Sequence, residues 1–235
     1  MLQAGSGKGV RVAMLDTGVD ESHPELSGKI AASYELVSNS GGFACEQVEG
    51  TDEVGHGTAC AGIITRIAPD VELHSVKVIG ANARGSSAEL VYGLEWALEN
   101  KMHVINASLG TLDRRNKDRI AELADQAFYS GVNIVAAANN RGQIAYPANL
   151  ATILSVDSGA LEDALSFRYR LGTYIEFEAN GIYVEAPSPG GEKKLYTGTS
   201  FACPHITGIV ARIMSVHPEL QPFEIRTILW RLALN

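Results

Sequence analysis

Apolar residues gather in short continuous runs at 10–15, 71–78, 103–107, 132–138 and 152–156, mostly without the polar alternation of a half-solvated strand. Runs of that length and β-branched content predict buried strands of a parallel sheet. Between them the spacing turns helical. Over 86–100, Leu90, Leu94, Ala97 and Leu98 recur on one face, and Ser86 with Glu89 predicts a capping box. Over 118–130, Ile120, Leu123, Ala124, Ala127 and Phe128 repeat the pattern, with Gly131 placed to end the helix. Further helices are expected over 59–64 and 200–216. A closing helix is expected near Pro222, with Ile225, Ile228, Leu229 and Leu232 behind it. Strands alternating with helices of this length imply an α/β fold with a mainly parallel central sheet flanked by helices.

Two stretches carry no period. Residues 38–55 are rich in Gly, Ser and acidic side chains and read as a surface loop. Residues 181–199, with Pro187, Pro189, Gly190 and Gly191, read as a second irregular segment. Residues 1–9 are expected to form a flexible arm, because Gly5-Ser6-Gly7-Lys8-Gly9 lacks the spacing of a phosphate loop and precedes a strand.

A chain of 235 residues, 46% apolar and 20% charged, suits one domain over 1–235 with a substantial core. The 19 basic and 27 acidic side chains give a net charge of −8 with no basic stripe, which speaks against a nucleic-acid partner. No run approaches the ~20 apolar residues of a membrane span, so no membrane partner is expected. Cys45, Cys60 and Cys203 are an odd set without metal-type spacing, leaving room for one disulfide at most and no zinc site. Unpaired cysteines and the lack of an apolar leader lean toward the cytoplasm, although a secreted mature domain would give the same pattern.

Three short segments carry the candidate chemistry: Leu15-Asp16-Thr17-Gly18, Gly55-His56-Gly57-Thr58 and Gly198-Thr199-Ser200. Each polar residue alone has a commoner structural use as a turn or cap. In combination they supply a hydroxyl nucleophile, the base that a weak nucleophile needs, and the acid that fixes the tautomer of that base. Asp16 ends a predicted strand, His56 opens one helix and Ser200 opens another. The Ser200 N–H is then one of the amides left without a helical acceptor, free for a developing oxyanion.

These segments resemble the subtilisin-like serine proteases, the subtilases. The likeness rests on Val12-Ala13-Met14-Leu15-Asp16-Thr17-Gly18-Val19-Asp20 with His23-Pro24, on His56-Gly57-Thr58-Ala59-Cys60-Ala61-Gly62, and on Gly198-Thr199-Ser200-Phe201-Ala202-Cys203-Pro204-His205. It runs from about residue 10 to about residue 229. It implies a three-layer subtilisin-like fold, a serine endopeptidase, and Asp16, His56 and Ser200 as triad. Val135-Ala136-Ala137-Ala138-Asn139-Asn140-Arg141-Gly142 resembles the segment that carries the oxyanion Asn, which falls on Asn140. Ser108, Leu109 and Gly110 resemble the backbone that pairs with an extended peptide substrate and walls its P1 pocket. Gly85 and Ser86 resemble part of the strand on the other side of that substrate. Arg141 and Ala145 fall near the P1 pocket, where a cation would favour acidic or neutral side chains and the Ala a shallower pocket.

The chain also departs from the family. Only Thr65-Arg66-Ile67 stands where calcium-dependent subtilases carry a longer Asn-rich loop. Calcium takes six to eight oxygen ligands, so no tight site is expected there and only a weaker one elsewhere is open; no cofactor and no metal ligand are expected. The clipped ends suggest a compact variant or a piece of a longer chain, with a pro-segment or protein inhibitor as a partner lying outside this sequence. Cys60 and Cys203 are expected near the triad as small buried side chains. Two alternatives to peptide hydrolysis remain at this point: a transpeptidase or macrocyclase of the same fold, and a non-catalytic peptide-binding domain.

Overall fold

The computed structural model describes residues 3–39, 42–80 and 85–234. Its elements run β1 (Arg11–Asp16), β2 (Ile30–Asn39), β3 (Gly42–Val48), α1 (His56–Ile67), β4 (Glu72–Lys77), α2 (Ser87–Glu99), β5 (Val104–Ala107), α3 (Lys117–Tyr129), β6 (Asn133–Ala137) and β7 (Leu154–Gly159). They continue through β8 (Phe167–Tyr169), β9 (Phe177–Asn180), β10 (Val184–Ser188), β11 (Glu192–Tyr196), α4 (Thr199–Val216) and α5 (Pro222–Leu232). Nine strands form one sheet in the order β3-β2-β4-β1-β5-β6-β7-β9-β8, and β10 and β11 form a separate two-stranded sheet. Every pairing from β2 through β9 is parallel; only β3 and β8, at the two edges, run antiparallel to their neighbours.

The continuous apolar runs are explained by burial on both faces. Val12 and Met14 of β1 join the core that contains α1 and α4, whereas Ala13 and Leu15 join the core that contains α2 and α3. Each sheet face is thus sealed by its own helical layer, as a parallel sheet requires. The capping box of α2 forms as expected: Glu89 N donates to Ser86 Oγ at 3.2 Å and Ser86 N to Glu89 Oε2. Pro222 opens α5, where Gln221 N donates to the Glu224 carboxylate at 2.9 Å.

Four expectations are corrected. The loop expected over 38–55 holds the end of β2 and all of β3, which pair as a hairpin, while residues 49–55 are irregular as expected. The hairpin closes the sheet edge and its outer residues face solvent, so it has no apolar run to betray it. The irregular 181–199 segment holds the β10–β11 hairpin, turned at Gly190 and Gly191, both at positive φ. Pro187 is tolerated because its strand has only one neighbour. The described part of the 1–9 arm is packed down, with Gly7 N donating to Ser215 Oγ at 3.2 Å and Asp70 N to Ser6 O at 2.9 Å. A strand expected at 152–156 begins two residues later and runs to Gly159.

Candidate active site

The interior strand β1 lies between β4 and β5, although the chain visits β4 first and then crosses to β5 through α2. Parallel sheets of this kind leave a crevice at the carboxyl ends of the strands where the order reverses. Asp16 ends β1 at that crevice, Ser108 follows β5, and Asn139 and Asn140 follow β6. The sheet therefore brings segments far apart in sequence to one rim.

Asp16 is fully buried, and its Oδ1 accepts from His56 Nδ1 at 2.6 Å and from Thr17 N at 2.8 Å. Its Oδ2 is buried without a hydrogen-bond partner among the described residues. The His56 side chain is 24% exposed. Burial by itself pulls the pKa of His56 down, but the Asp16 charge, neighbouring Cys60 and the Asp16 hydrogen bond outweigh it and hold His56 well above the ordinary histidine range.

The close approach of Asp16 and His56 depends on glycine. A Cβ on Gly57 would lie 2.0 Å from Gly18 O, so the first turn of α1 can rest on the loop after β1 only without a side chain there. Gly55, the N-cap of α1, is left-handed and offers no side chain to the helix amides. Asp52 takes over that task. Its Oδ2 accepts from Thr58 N at 2.8 Å and Thr58 Oγ1 at 2.7 Å, and its Oδ1 from Gly55 N at 2.8 Å, Val54 N at 3.1 Å and Thr17 Oγ1 at 2.8 Å. Thr17 Oγ1 in turn accepts from Gly57 N at 2.9 Å. Asp52 and Thr17 thus clamp the Asp16 loop to the His56 helix. Sequence reasoning passed over both; the available signal was an acid just ahead of a helix whose N-cap is glycine.

Ser200 is the second residue of α4, and proline explains much of its surroundings. Pro204 has no N–H to give the carbonyl four residues back, which is that of Ser200. That carbonyl accepts instead from Ser108 Oγ at 2.9 Å and from the Cys60 thiol at 3.4 Å. Ser108 Oγ accepts from Asn106 Nδ2 at 2.9 Å, and Asn106 Oδ1 accepts from Thr207 Oγ1 at 2.8 Å. The strand end and the Ser200 helix are therefore joined through Ser108 and through fully buried Asn106 and Thr207. No hydrogen bond within 3.5 Å links Ser200 Oγ to His56 among the described residues.

Asn140 Oδ1 accepts from Thr199 N at 3.0 Å, which fixes the amide plane and leaves Nδ2 without a protein acceptor among the described residues. A Cβ on Gly198 would stand 3.5 Å from both Asn140 Oδ1 and Ser200 Oγ and 3.7 Å from Asn140 Nδ2, so amide and hydroxyl border one small space. Asn139 does a turn residue's work, with its Oδ1 accepting from Arg141 N at 2.9 Å. Ser108, Leu109, Gly110, Ala137, Ala138, Ala145, Thr199 and Ser200 line the adjoining cavity of about 180 Å3, together with Asn139 and Asn140. Ala145 lines it as expected; Arg141 is exposed and does not.

Gly85 and Ser86 line a neighbouring depression of about 450 Å3 with Ile79, Leu90, Leu109, Gly110 and Thr111. They lie just ahead of α2, with Ser86 as its N-cap. Ser86 is held by its own capping box and Ser87 lies inside α2 with Oγ donating to Asp113 at 2.8 Å, so the helix end has claimed this segment. Cys60 and Cys203 are fully buried free thiols beside the site. Burial pushes the Cys60 pKa up to about 11 and Cys203 well above its ordinary value, which keeps both in the neutral thiol form. Asp16, His56 and Cys60 are the one group of three metal-type ligands found close together among the described residues.

The sequence pattern of the Subtilase family matches residues 7–234. The chain belongs to the subtilase family. Subtilisin BL of Lederbergia lenta is 34% identical over 98% of this chain and 85% of its own length, and Alkaline elastase YaB of Bacillus sp. (strain YaB) is 33% identical over 98% and 61%. Subtilisin NAT of Bacillus subtilis subsp. natto is 31% identical over 95% of this chain, which spans 60% of that relative. Among solved structures, a cold adapted subtilisin-like serine proteinase superposes with a TM-score of 0.79 at 26% identity, covering 97% of this chain and 83% of that one. The sheet order and helical layers described above are therefore the subtilase fold.

Proposed function

We propose that this subtilase is a serine endopeptidase acting through an acyl-enzyme on Ser200. His56 takes the Ser200 proton as the hydroxyl attacks the scissile carbonyl, then passes it to the leaving amine; Asp16 orients the imidazole and stabilises its charged form. Asn140 Nδ2 and the Ser200 N–H donate to the tetrahedral oxyanion. The observation that carries the reading is the 2.6 Å bond between His56 and buried Asp16, at a rim shared with Ser200 and with an Asn140 amide whose Nδ2 is unspent.

The substrate is an extended peptide or protein segment. Ser108, Leu109 and Gly110, whose backbone has no hydrogen-bond partner among the described residues, lie beyond β5 for main-chain pairing, and the cavity next to them receives the P1 side chain. The depression at Gly85 and Ser86 receives a more distant side chain of the same segment. The proposed acyl transfer needs no metal ion. The 65–67 segment is unsuited to tight calcium binding, because Thr65 Oγ1 donates to Ala61 O at 2.9 Å and Ile67 O already accepts from Arg212 Nη1 at 2.6 Å. Among the described residues, no helix is long and apolar enough to cross a membrane.

A serine-reactive fluorophosphonate decides the reading. The wild-type chain is expected to be labelled and to cut an unstructured protein into peptides that mass spectrometry identifies, whereas Ser200→Ala does neither. A folded wild-type sample that is neither labelled nor proteolytic would overturn it in favour of a peptide-binding domain.

A further inference from the structure

Phe201 stands immediately after Ser200, is 6% exposed, and is sandwiched between two other rings. Its centroid lies 5.0 Å from that of His56 at an interplanar angle of 50°, and 4.8 Å from that of Tyr196 at 35°. These are tilted contacts within the range in which aromatic pairs attract. The three rings come from three elements: His56 opens α1, Phe201 lies in the first turn of α4, and Tyr196 ends β11.

Tyr196 is itself held from behind. At the turn of its hairpin, Gly190 N donates to Asp20 Oδ2 at 3.0 Å. His23 Nδ1 accepts from Glu25 N at 3.1 Å, which leaves Nε2 as the donor to Glu192 O at 2.8 Å. Lys193 pairs with Glu25 on the same side. The hairpin also leans on the His56 helix, since a Cβ on Gly55 would meet Pro189 Cδ at 2.8 Å.

The bond to Asp16 fixes one atom of the imidazole but leaves the ring free to swing about that bond. A rigid ring packed against it removes the swing, and proton delivery between a nucleophile and a leaving group depends on such orientation. We propose that Phe201, backed by Tyr196, is a positioning residue for His56, and that the β10–β11 hairpin sets the imidazole through this stack. The proposal rests on the hydrolase reading for its kinetic consequence only.

Loss of the ring contact in Phe201→Leu is expected to lower kcat about 2- to 12-fold with KM little changed. Phe201→Tyr restores kcat. Tyr196→Leu lowers kcat as well, and the Phe201→Leu/Tyr196→Leu double variant is no slower than Phe201→Leu alone, because Tyr196 acts through Phe201. In a Ser200→Ala background, which needs no activity, the NMR titration of the His56 ring is expected to shift in Phe201→Leu and to return in Phe201→Tyr. Unchanged kcat together with an unchanged His56 titration in Phe201→Leu would overturn the proposal, as would single effects that simply multiply. If wild type hydrolyses no peptide, the hydrolase reading fails, while the titration still decides whether the stack positions the ring.

Discussion

Asp52→Ala removes the acceptor of five hydrogen bonds at a residue only 6% exposed. Three of the donors are backbone amides around the N-terminus of α1 and two are the hydroxyls of Thr17 and Thr58. Leaving one buried donor unpaired costs about 1–3 kcal/mol, but water entering the vacated space will satisfy some of them. A net loss of about 3–5 kcal/mol is the expected outcome, comparable to breaking a buried charge network. For a chain of 235 residues this corresponds to a fall in Tm of roughly 6–20 °C. The measurement belongs in a Ser200→Ala background, where self-digestion cannot distort the melt. Asp52→Asn should lose less, since it keeps one acceptor oxygen. Thr17→Val should be strongly non-additive with Asp52→Ala, because both cut the same tie between the Asp16 loop and Gly57. With Ser200 restored, kcat at a temperature where the variant is folded should fall more than KM rises. An Asp52→Ala protein within about 0.5 kcal/mol of its parent, additive with Thr17→Val, would refute the clamp.

Three further outcomes follow from the site. His56 holds its proton more tightly when folded than when unfolded, so that stabilisation is fully present below the unfolded value of about 6.5 and fades as pH rises through the folded pKa; the base form needed for attack appears over the same window. The rising limb of kcat/KM should therefore have its midpoint above about 6.5, and a midpoint at or below that value contradicts the raised pKa. Asn140→Ala should cost about 100- to 1,000-fold in kcat with little change in KM, the range known for such a donor in subtilisin, and equal losses of binding and turnover would remove Asn140 from the oxyanion site. Chelation with EDTA should move the Tm by less than about 1 °C, and a larger shift would reveal a stabilising cation.

The parallel strands β1, β4, β5, β6 and β7 were legible because burial on both faces writes them as unbroken apolar runs, whereas β2 and β9, which also pair in parallel, were not; the Ser86–Glu89 box was legible because caps are local. Edge elements were not. The β2–β3 hairpin is solvated along much of its length, β11 is largely exposed, and β10 buries Val184 and Ala186 on either side of exposed Glu185 just before Pro187, so neither hairpin is written as an unbroken apolar run. Asp16, His56 and Ser200 were found by their glycine-flanked motifs, yet the side chains that hold them were hidden. Asp52 reads as one more acid in a charged loop, and Phe201 as one more core residue in an apolar helix. What each does is set by partners 35 residues away in Thr17 and 5.0 Å away in the His56 ring, and spacing along the chain encodes neither.

The tie between Gly7 and Ser215 joins residues 208 positions apart, and Gly5 lies so close to Arg212 that a Cβ there would touch its carbonyl oxygen. Lengthening a loop costs closure entropy only logarithmically, so a clasp of this span weighs little on equilibrium stability. Its weight falls on the order of events in folding. The first strand lies inside the sheet, but its neighbours and the helix that covers it arrive later in the chain, and topologies dominated by distant pairings fold slowly. A growing or partly folded polypeptide therefore holds Asp16 and His56 apart from the Ser200 helix until the residues of all three have assembled, so the proposed cutting power and the finished architecture arrive together.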